Sequence, residues 1–177
     1  MKIYLTGMPG CGKSTFGKRA SAESGIRFLD LDKEISRREG CTINDIFELK
    51  GELFFRKLES MLLKSLTSEY DSFIMATGGG APCFFENMDF MNSNGTTIYI
   101  QVSVNIIMDR LSRKGLSKRP LLKDLGPEEL RLELSEKLKS RKIFYEKARH
   151  ILPYNPDMEK DITNIINNSG SEKETET

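Results

Sequence analysis

Two aspartates stand one residue apart at the end of an apolar run, in the stretch FLDLDKE at residues 28–34. Carboxylates such as Asp30 and Asp32 can hold a divalent cation or act as a general base. A simpler alternative is that Asp32 caps a helix that begins at Lys33. Few other residues suggest catalysis, because His150 is the single histidine and tryptophan is absent. The role of the two aspartates therefore depends on what the fold brings beside them.

The most informative motif is GMPGCGKST at residues 7–15, which fits the pattern G-x-x-x-x-G-K-[ST]. It follows a predicted strand and opens a predicted helix, the context in which this loop binds nucleotide phosphates. Backbone N–H groups, the helix N-terminus and Lys13 would hold the phosphates, and the Ser14 hydroxyl would bind Mg²⁺. The alternative is a chance glycine turn before a helix. The predicted nucleotide-binding residues of this loop are Gly10, Cys11, Gly12, Lys13, Ser14 and Thr15. Cys11 has no visible adjacent base, so we expect a small loop filler rather than a catalytic thiol.

Asp30 is the candidate metal-binding carboxylate by elimination. P-loop enzymes usually carry a second strand that ends in a metal-binding aspartate. The predicted strands at 72–77 and 97–102 do not end in Asp, whereas the strand at 26–30 does. If strand geometry continues past Asp30, Asp32 lies on the same face and one step nearer a substrate.

Apolar runs alternate with helical patterns along the chain, which is typical of an α/β fold whose parallel sheet is covered on both faces. The predicted strands are residues 2–6, 26–30, 72–77, 97–102 and 150–154, the last at a sheet edge. The predicted helices are 13–24, two or three stretches within 33–68, and 84–92, 104–113, 128–148 and 157–168.

These elements predict a three-layer α/β/α arrangement around a five-stranded parallel sheet. We expect a single domain over residues 1–168, followed by a disordered polar tail at 169–177. Ligands of such folds bind beyond the carboxyl ends of the strands. Both glycine clusters and the Asp pair fall at those ends, so they predict one shared site.

Composition indicates a cytoplasmic protein that binds neither nucleic acid nor membranes, and we expect a monomer. The 177 residues carry a net charge of +1, so no global field attracts polyanions. No apolar stretch is long enough to cross a bilayer. The three cysteines are widely spaced, which suits a reducing compartment better than a disulfide or zinc framework.

A basic stretch follows the predicted helix at 104–113. Such runs are usually solvated surface, and some contact nucleic acid. Here the position beside the phosphate-binding rim favours a mobile lid at about 113–125, whose closure would exclude water. Arg110 and the loop at 155–156 are candidates to contact an adenine ring.

In their order along the chain, these motifs resemble those of the shikimate kinase family. The resemblance rests on GMPGCGKST, D-L-D at 30–32, FFRKLE at 54–59, ATGGG at 76–80, KRPLL at 118–122, and Arg141 four residues before Tyr145. It implies a P-loop kinase fold that uses ATP with Mg²⁺. It also implies transfer of the γ-phosphate to the 3-hydroxyl of shikimate, in the route to chorismate and the aromatic amino acids. Pro82 departs from the apolar residue expected after the glycines.

The resemblance further implies that Asp32, Arg56, Gly79 and Arg141 bind shikimate and that Arg119 is a lid arginine on the phosphates. Gly78 and Gly80 belong to the same predicted turn, whose backbone N–H groups can approach ring hydroxyls. Helices at about 33–61 would carry the substrate site. The implied catalytic residues are Lys13, Asp32 and Arg119, of which Asp32 would orient and deprotonate the hydroxyl.

Two arginines suit a carboxylate-bearing substrate, because a guanidinium pairs with a carboxylate through two hydrogen bonds. The alternative for Arg56 is a pairing with Glu52 or Glu59 on its own helix, and for Arg141 a solvated position on a mixed-charge helix.

Two rival functions share the phosphate loop. One is a kinase for another small metabolite, such as gluconate, and the other is a non-catalytic nucleotide-binding switch.

Overall fold

The computed structural model of the chain describes residues 1–114 and 126–171. Most of the predicted lid, residues 115–125 with Arg119, lies outside the described residues.

Five parallel strands form one sheet in the order β2-β3-β1-β4-β5. They are β1 Lys2–Thr6, β2 Phe28–Asp30, β3 Phe73–Ala76, β4 Thr96–Gln101 and β5 His150–Pro153. The α-helices of the described residues are α1 Lys13–Ser24, α2 Leu31–Glu39, α3 Ile43–Glu69, α4 Asn87–Asn94, α5 Val104–Lys114, α6 Pro127–Tyr145 and α7 Met158–Ser171. A 3₁₀ turn at Ala81–Cys83 follows β3.

Helices cover both faces of the sheet, because alternate strand residues point to opposite faces. Ile3 and Leu5 of β1 pack into one apolar cluster, with residues of α1, α5, α6 and α7. Tyr4 packs into the other cluster, with residues of α2, α3 and α4. The predicted three-layer α/β fold and its edge strand β5 are therefore confirmed.

The carboxyl ends of three neighbouring strands lie level with one another. Ala76 of β3 is in register with Leu5 of β1 on one side and with Asp30 of β2 on the other. The chain leaves these ends into the phosphate loop (residues 7–15), the glycine turn (residues 78–80) and helix α2. This places three of the predicted motifs at one rim of the sheet.

The aspartate that caps α2 is Asp30, so the alternative of Asp32 as the cap is wrong. Asp30 keeps an extended backbone, and its side chain accepts a hydrogen bond from the Lys33 N–H at 3.3 Å. The helix therefore begins at Leu31, which is fully buried. Strand geometry does not continue to Asp32, and the argument that placed both aspartates on one face of a strand fails. Asp32 instead projects from the first helical turn.

Several other boundaries also differ from the predicted ones, and helix α6, for example, ends at Tyr145 rather than at residue 148. The helix predicted at 84–92 begins at Asn87, because Ala81–Cys83 with Pro82 forms a 3₁₀ turn and Phe85 and Glu86 have positive φ. Helix α7 runs to Ser171, so the first three residues of the predicted tail are helical, and residues 172–177 lie outside the described part. Within the described residues, no helix has the length and apolarity needed to cross a membrane.

Candidate active site

The phosphate loop owes its shape to residues that tolerate a left-handed backbone. Gly12, which precedes α1, has φ 111°, and a side chain there would meet the Phe16 ring at 2.7 Å. The chain then enters α1 at Lys13, so the N-terminal N–H groups of the helix face the rim. Lys13 is 8% exposed, and its Nζ donates to the carbonyls of Gly7 at 2.7 Å and Met8 at 3.1 Å. The lysine is thus held at the loop that would surround the phosphates.

Ser14 and Asp30 meet beside this loop. The Ser14 hydroxyl donates to Asp30 Oδ2 at 2.8 Å, which joins the first turn of α1 to the end of β2. Two oxygen ligands of the kind that Mg²⁺ prefers therefore stand together, on the two residues that the sequence predicted for the metal. Asp30 does this with one oxygen while the other caps α2.

An open cavity of about 870 Å³ runs along the rim. The residues that line it include most of the predicted nucleotide and metal residues and two predicted substrate residues, namely Gly10, Gly12, Lys13, Ser14, Thr15, Asp30, Arg110, Asp32 and Gly79. Cys11 is fully buried in the loop, with Sγ 3.8 Å from Lys13 Nζ. Thr42, Ile43, Asn44 and Thr77 also line the cavity and were not predicted.

Arg56 is a buried residue rather than a surface one. Its side chain is 8% exposed and donates to Glu59 Oε2 at 2.8 Å and to Glu52 Oε1 at 3.2 Å. The guanidinium also lies 4.7 Å from the centroid of the Phe84 ring. Both pairings that the sequence offered are present, but burial rules out the solvated position that usually accompanies them. The guanidinium borders the glycine turn, since a side chain at Gly80 would approach it to 2.6 Å.

Arg141 converges on the same region from α6. Its positive charge lowers the pKa of Glu59 and of Cys83, and Arg56 has the same effect on both groups. The two arginines come from helices far apart in sequence, so only the fold brings them together. Asp32 completes the group: a side chain at Gly78 would meet both Asp32 Oδ1 and Glu59.

Comparison with known proteins identifies the family. The sequence model of shikimate kinase matches residues 9–169 of this chain. This chain belongs to the shikimate kinase family. A shikimate kinase of Parabacteroides distasonis is 43% identical over 149 residues, which are 83% of this chain and 84% of that protein. One of Aquifex aeolicus is 45% identical over 123 residues, which are 70% and 71% of the two chains.

Solved structures of the family have the same fold. A shikimate kinase from Bacteroides thetaiotaomicron gives a TM-score of 0.86 at 32% identity, and covers 95% of this chain and 97% of its own. One from Acinetobacter baumannii in complex with shikimate gives 0.83 at 34% identity, and covers 99% and 95%. The predicted family, P-loop kinase fold and assignment as a shikimate kinase are confirmed.

Arg110 of the kinase bridges the phosphate loop and the end of β5. Its Nη1 donates to the Cys11 carbonyl at 2.6 Å, and its guanidinium lies 4.8 Å from the centroid of the Tyr154 ring. Its predicted adenine contact stays a prediction, but it stands next to the loop at 155–156 that shares that prediction.

Two buried residues that contact the site, Glu59 and Tyr145, had no role assigned to them from the sequence. Glu59 lies one helical turn after Arg56, and Tyr145 one turn after Arg141. These spacings were visible, because residues three or four apart share a helix face. Their burial was not visible, since charged pairs on helices are usually solvated.

The pKa of the Glu59 carboxylate is shifted by burial and by neighbouring charges of both signs. It is fully buried, and its Oε1 has no hydrogen-bond partner among the described residues. The pKa of Glu59 is raised to about 7 as the net of opposing effects: burial and the nearby Asp32 charge raise it, while Arg56 and Arg141 lower it. Near neutral pH this group therefore exists in both protonation states.

Replacing Glu59 with Gln is expected to remove a pH dependence of stability. The pKa of Glu59 in the folded kinase, about 7, lies above its ordinary value of 4.5. Protonation of Glu59 therefore stabilises the fold fully below the ordinary value, and this contribution is lost as pH rises through about 7. Between about pH 5 and 8, the free energy of unfolding of the wild type should fall by roughly 2–3 kcal/mol relative to Glu59→Gln.

Urea denaturation at several pH values measures this difference. Glu52→Gln is the matched control, because Glu52 also pairs with Arg56 but its side chain is 58% exposed. Its stability should run parallel to that of the wild type. A Glu59→Gln profile that is also parallel to the wild type would contradict the raised pKa.

Proposed function

We propose that the kinase transfers the γ-phosphate of ATP to the 3-hydroxyl of shikimate with the residues assembled at this rim. The observation that carries the proposal is the convergence of Arg56, Arg141 and Asp32 on the glycine turn, beside the phosphate loop. Two arginines for a carboxylate and Asp32 for a hydroxyl, next to a phosphate site, match an acceptor with one carboxylate and several hydroxyls. The Acinetobacter baumannii relative, whose structure contains shikimate, supports this choice of acceptor.

Arg56 and Arg141 would hold the acceptor carboxylate. A carboxylate in a site with few waters gains most from charge-assisted hydrogen bonds to guanidinium groups. Glu59 and Glu52 hold Arg56 in place before the substrate arrives, which lowers the cost of ordering this side chain. The backbone N–H groups of Gly78, Gly79 and Gly80 would contact the ring hydroxyls.

Asp32 would orient the attacking hydroxyl and accept its proton. It is exposed rather than buried, lines the same cavity as the phosphate loop and lies next to Gly78 of the glycine turn. Lys13, which lines the same cavity, would offset the charge that develops on the transferred phosphoryl group. Arg119 is proposed to add a second cation when the lid closes, and Arg110 to contact the adenine.

Ser14 and Asp30 fit a magnesium ion, because they present a hydroxyl and a carboxylate oxygen beside the phosphate loop. Mg²⁺ is commonly held by one or two carboxylates together with substrate phosphates, so a larger acidic cluster is not needed. When bound there, the ion would neutralise charge on the phosphates.

The acceptor is tested with a coupled assay that detects ADP formation from ATP and a panel of acceptors. Shikimate should give sustained ADP formation, whereas gluconate and a nucleoside monophosphate should not. ADP formation with gluconate alone would favour a kinase for another metabolite. An ATP affinity that is independent of shikimate, with no turnover, would favour a nucleotide-binding switch.

Replacing Arg141 with Ala is expected to weaken shikimate binding. The loss of charge-assisted hydrogen bonds should cost about 1.5–3 kcal/mol, which raises the KM for shikimate roughly 10- to 100-fold. The KM for ATP should stay within about twofold, because the variant spares the phosphate loop. Arg131→Ala is the control, since Arg131 is exposed on the same helix and pairs with Asn105. Equal KM values for shikimate in the two variants would show that Arg141 is a solvated residue that does not bind the substrate.

A further inference from the structure

Tyr145 joins the glycine turn to the rest of the site through its hydroxyl. The residue is fully buried at the end of α6, and its ring stacks on Tyr99 of β4 at 5.0 Å between centroids. Its hydroxyl donates to the Gly79 carbonyl at 2.5 Å and lies 3.8 Å from the Met8 sulfur. A phenylalanine ring would fill the same space in the core. What the tyrosine adds is the hydroxyl, which makes the hydrogen bond to the Gly79 carbonyl.

Gly79 is also the point at which the glycine turn touches the phosphate loop. A side chain at Gly79 would meet the Pro9 ring at 2.6 Å, so the two backbones pack directly against each other. Gly79 is thus contacted twice, by the Tyr145 hydroxyl at its carbonyl and by the Pro9 ring close to its Cα. Arg141 stands one turn earlier on the same helix, so α6 carries both this contact and an arginine of the acceptor site.

We propose that the Tyr145 hydroxyl is a positioning group that locks the glycine turn against the phosphate loop and so sets the separation between the acceptor hydroxyl and the γ-phosphate. The proposal rests on the proposed function for the identity of the acceptor. Its physical basis is that phosphoryl transfer depends mainly on placing donor and acceptor, and small displacements reduce the rate steeply. Burial raises the pKa of Tyr145 well above its ordinary value, so the hydroxyl remains a proton donor.

Tyr145→Phe tests the proposal, because it keeps the ring and removes only the hydroxyl. The turn should remain folded, since the Asn87 side chain still donates to the Ala81 carbonyl at 2.9 Å. We expect kcat with shikimate to fall roughly 10- to 100-fold. The KM for ATP and the slow hydrolysis of ATP without acceptor should stay within about twofold, because neither requires the acceptor that the glycine turn would position.

Tyr4→Phe is the matched control. Tyr4 is another buried tyrosine, and its hydroxyl pairs with Thr67 at 3.0 Å, away from the glycine turn. Both variants lose one buried hydroxyl contact, so both should show a comparable decrease in Tm. Only Tyr145→Phe should lose kcat. Equal kcat values for the two variants would overturn the proposal and reduce Tyr145 to a core residue.

Hydrogen exchange gives a readout that does not require turnover. The Ala81 N–H donates to the Gly78 carbonyl at 3.1 Å and the Cys83 N–H to the Gly80 carbonyl at 2.9 Å, so both amides report on the turn. They should exchange faster in Tyr145→Phe than in Tyr4→Phe. A wild type without activity toward shikimate would refute the proposed acceptor, and unchanged exchange would refute the lock.

Discussion

Replacing Asp32 with Asn is expected to lower kcat with shikimate by about 10²- to 10⁴-fold, the usual contribution of a general base. The amide retains the size of the carboxylate but cannot accept a proton from the attacking hydroxyl. ATP binding should be unchanged, because the variant retains Lys13 and the Ser14–Asp30 contact. Steady-state kinetics and an ATP titration measure the two quantities separately.

Glu34→Gln is the control for Asp32→Asn. Glu34 also lies in the first turn of α2, where it pairs with Arg37 on the surface. Its loss should change kcat by less than about twofold, because exposed pairs contribute little. Full activity of Asp32→Asn at neutral pH would contradict the proposed role of Asp32 as a general base. A raised KM for shikimate with an unchanged kcat would limit Asp32 to binding.

Replacing Lys13 with Met should lower kcat by about 10²- to 10³-fold, the loss expected when one preorganised charge is removed from a transition state. Methionine keeps an unbranched chain in the same volume, but it cannot neutralise charge on the phosphoryl group. The carbonyls of Gly7 and Met8 also lose their donor, so a decrease in Tm should accompany the kinetic loss.

Lys18→Met makes the same substitution on the exposed face of α1 and should leave both quantities nearly unchanged. The kinetic effect of Lys13→Met should appear in kcat at saturating ATP. A wild-type kcat together with a raised KM for ATP would show that Lys13 contributes to binding the nucleotide but not to transfer.

Local patterns predicted the phosphate-binding half of the molecule well. Strand β1 and helix α1 have the predicted bounds, because an apolar run, a glycine motif and a helix-ending glycine at Gly25 are all close in sequence. Ser14 and Asp30, both predicted to bind the metal, contact each other, since the carboxyl ends of parallel strands meet at one rim. Local signals are sufficient where each residue's partners lie within a few turns of the chain.

The division of roles between the two aspartates required the tertiary structure. The sequence allowed the chain to leave the sheet after either Asp30 or Asp32. Burial of Leu31 and Ile35 against the second apolar cluster starts the helix at Leu31, and this makes Asp30 the cap. Asp32 then lines the cavity from a helix rather than from a strand, so both aspartates lie at the cavity for a reason that periodicity did not supply.

By itself, the sequence determined the fold class, the phosphate loop and the family, because these depend on the types and order of residues along the chain. The tertiary structure alone decided which charges are buried. Arg56 and Glu59 look like an ordinary surface pair on a helix, yet the fold encloses both, and this raises the pKa of Glu59. The contact between Tyr145 and Gly79 joins residues 66 positions apart, and no local pattern encodes a contact at that distance.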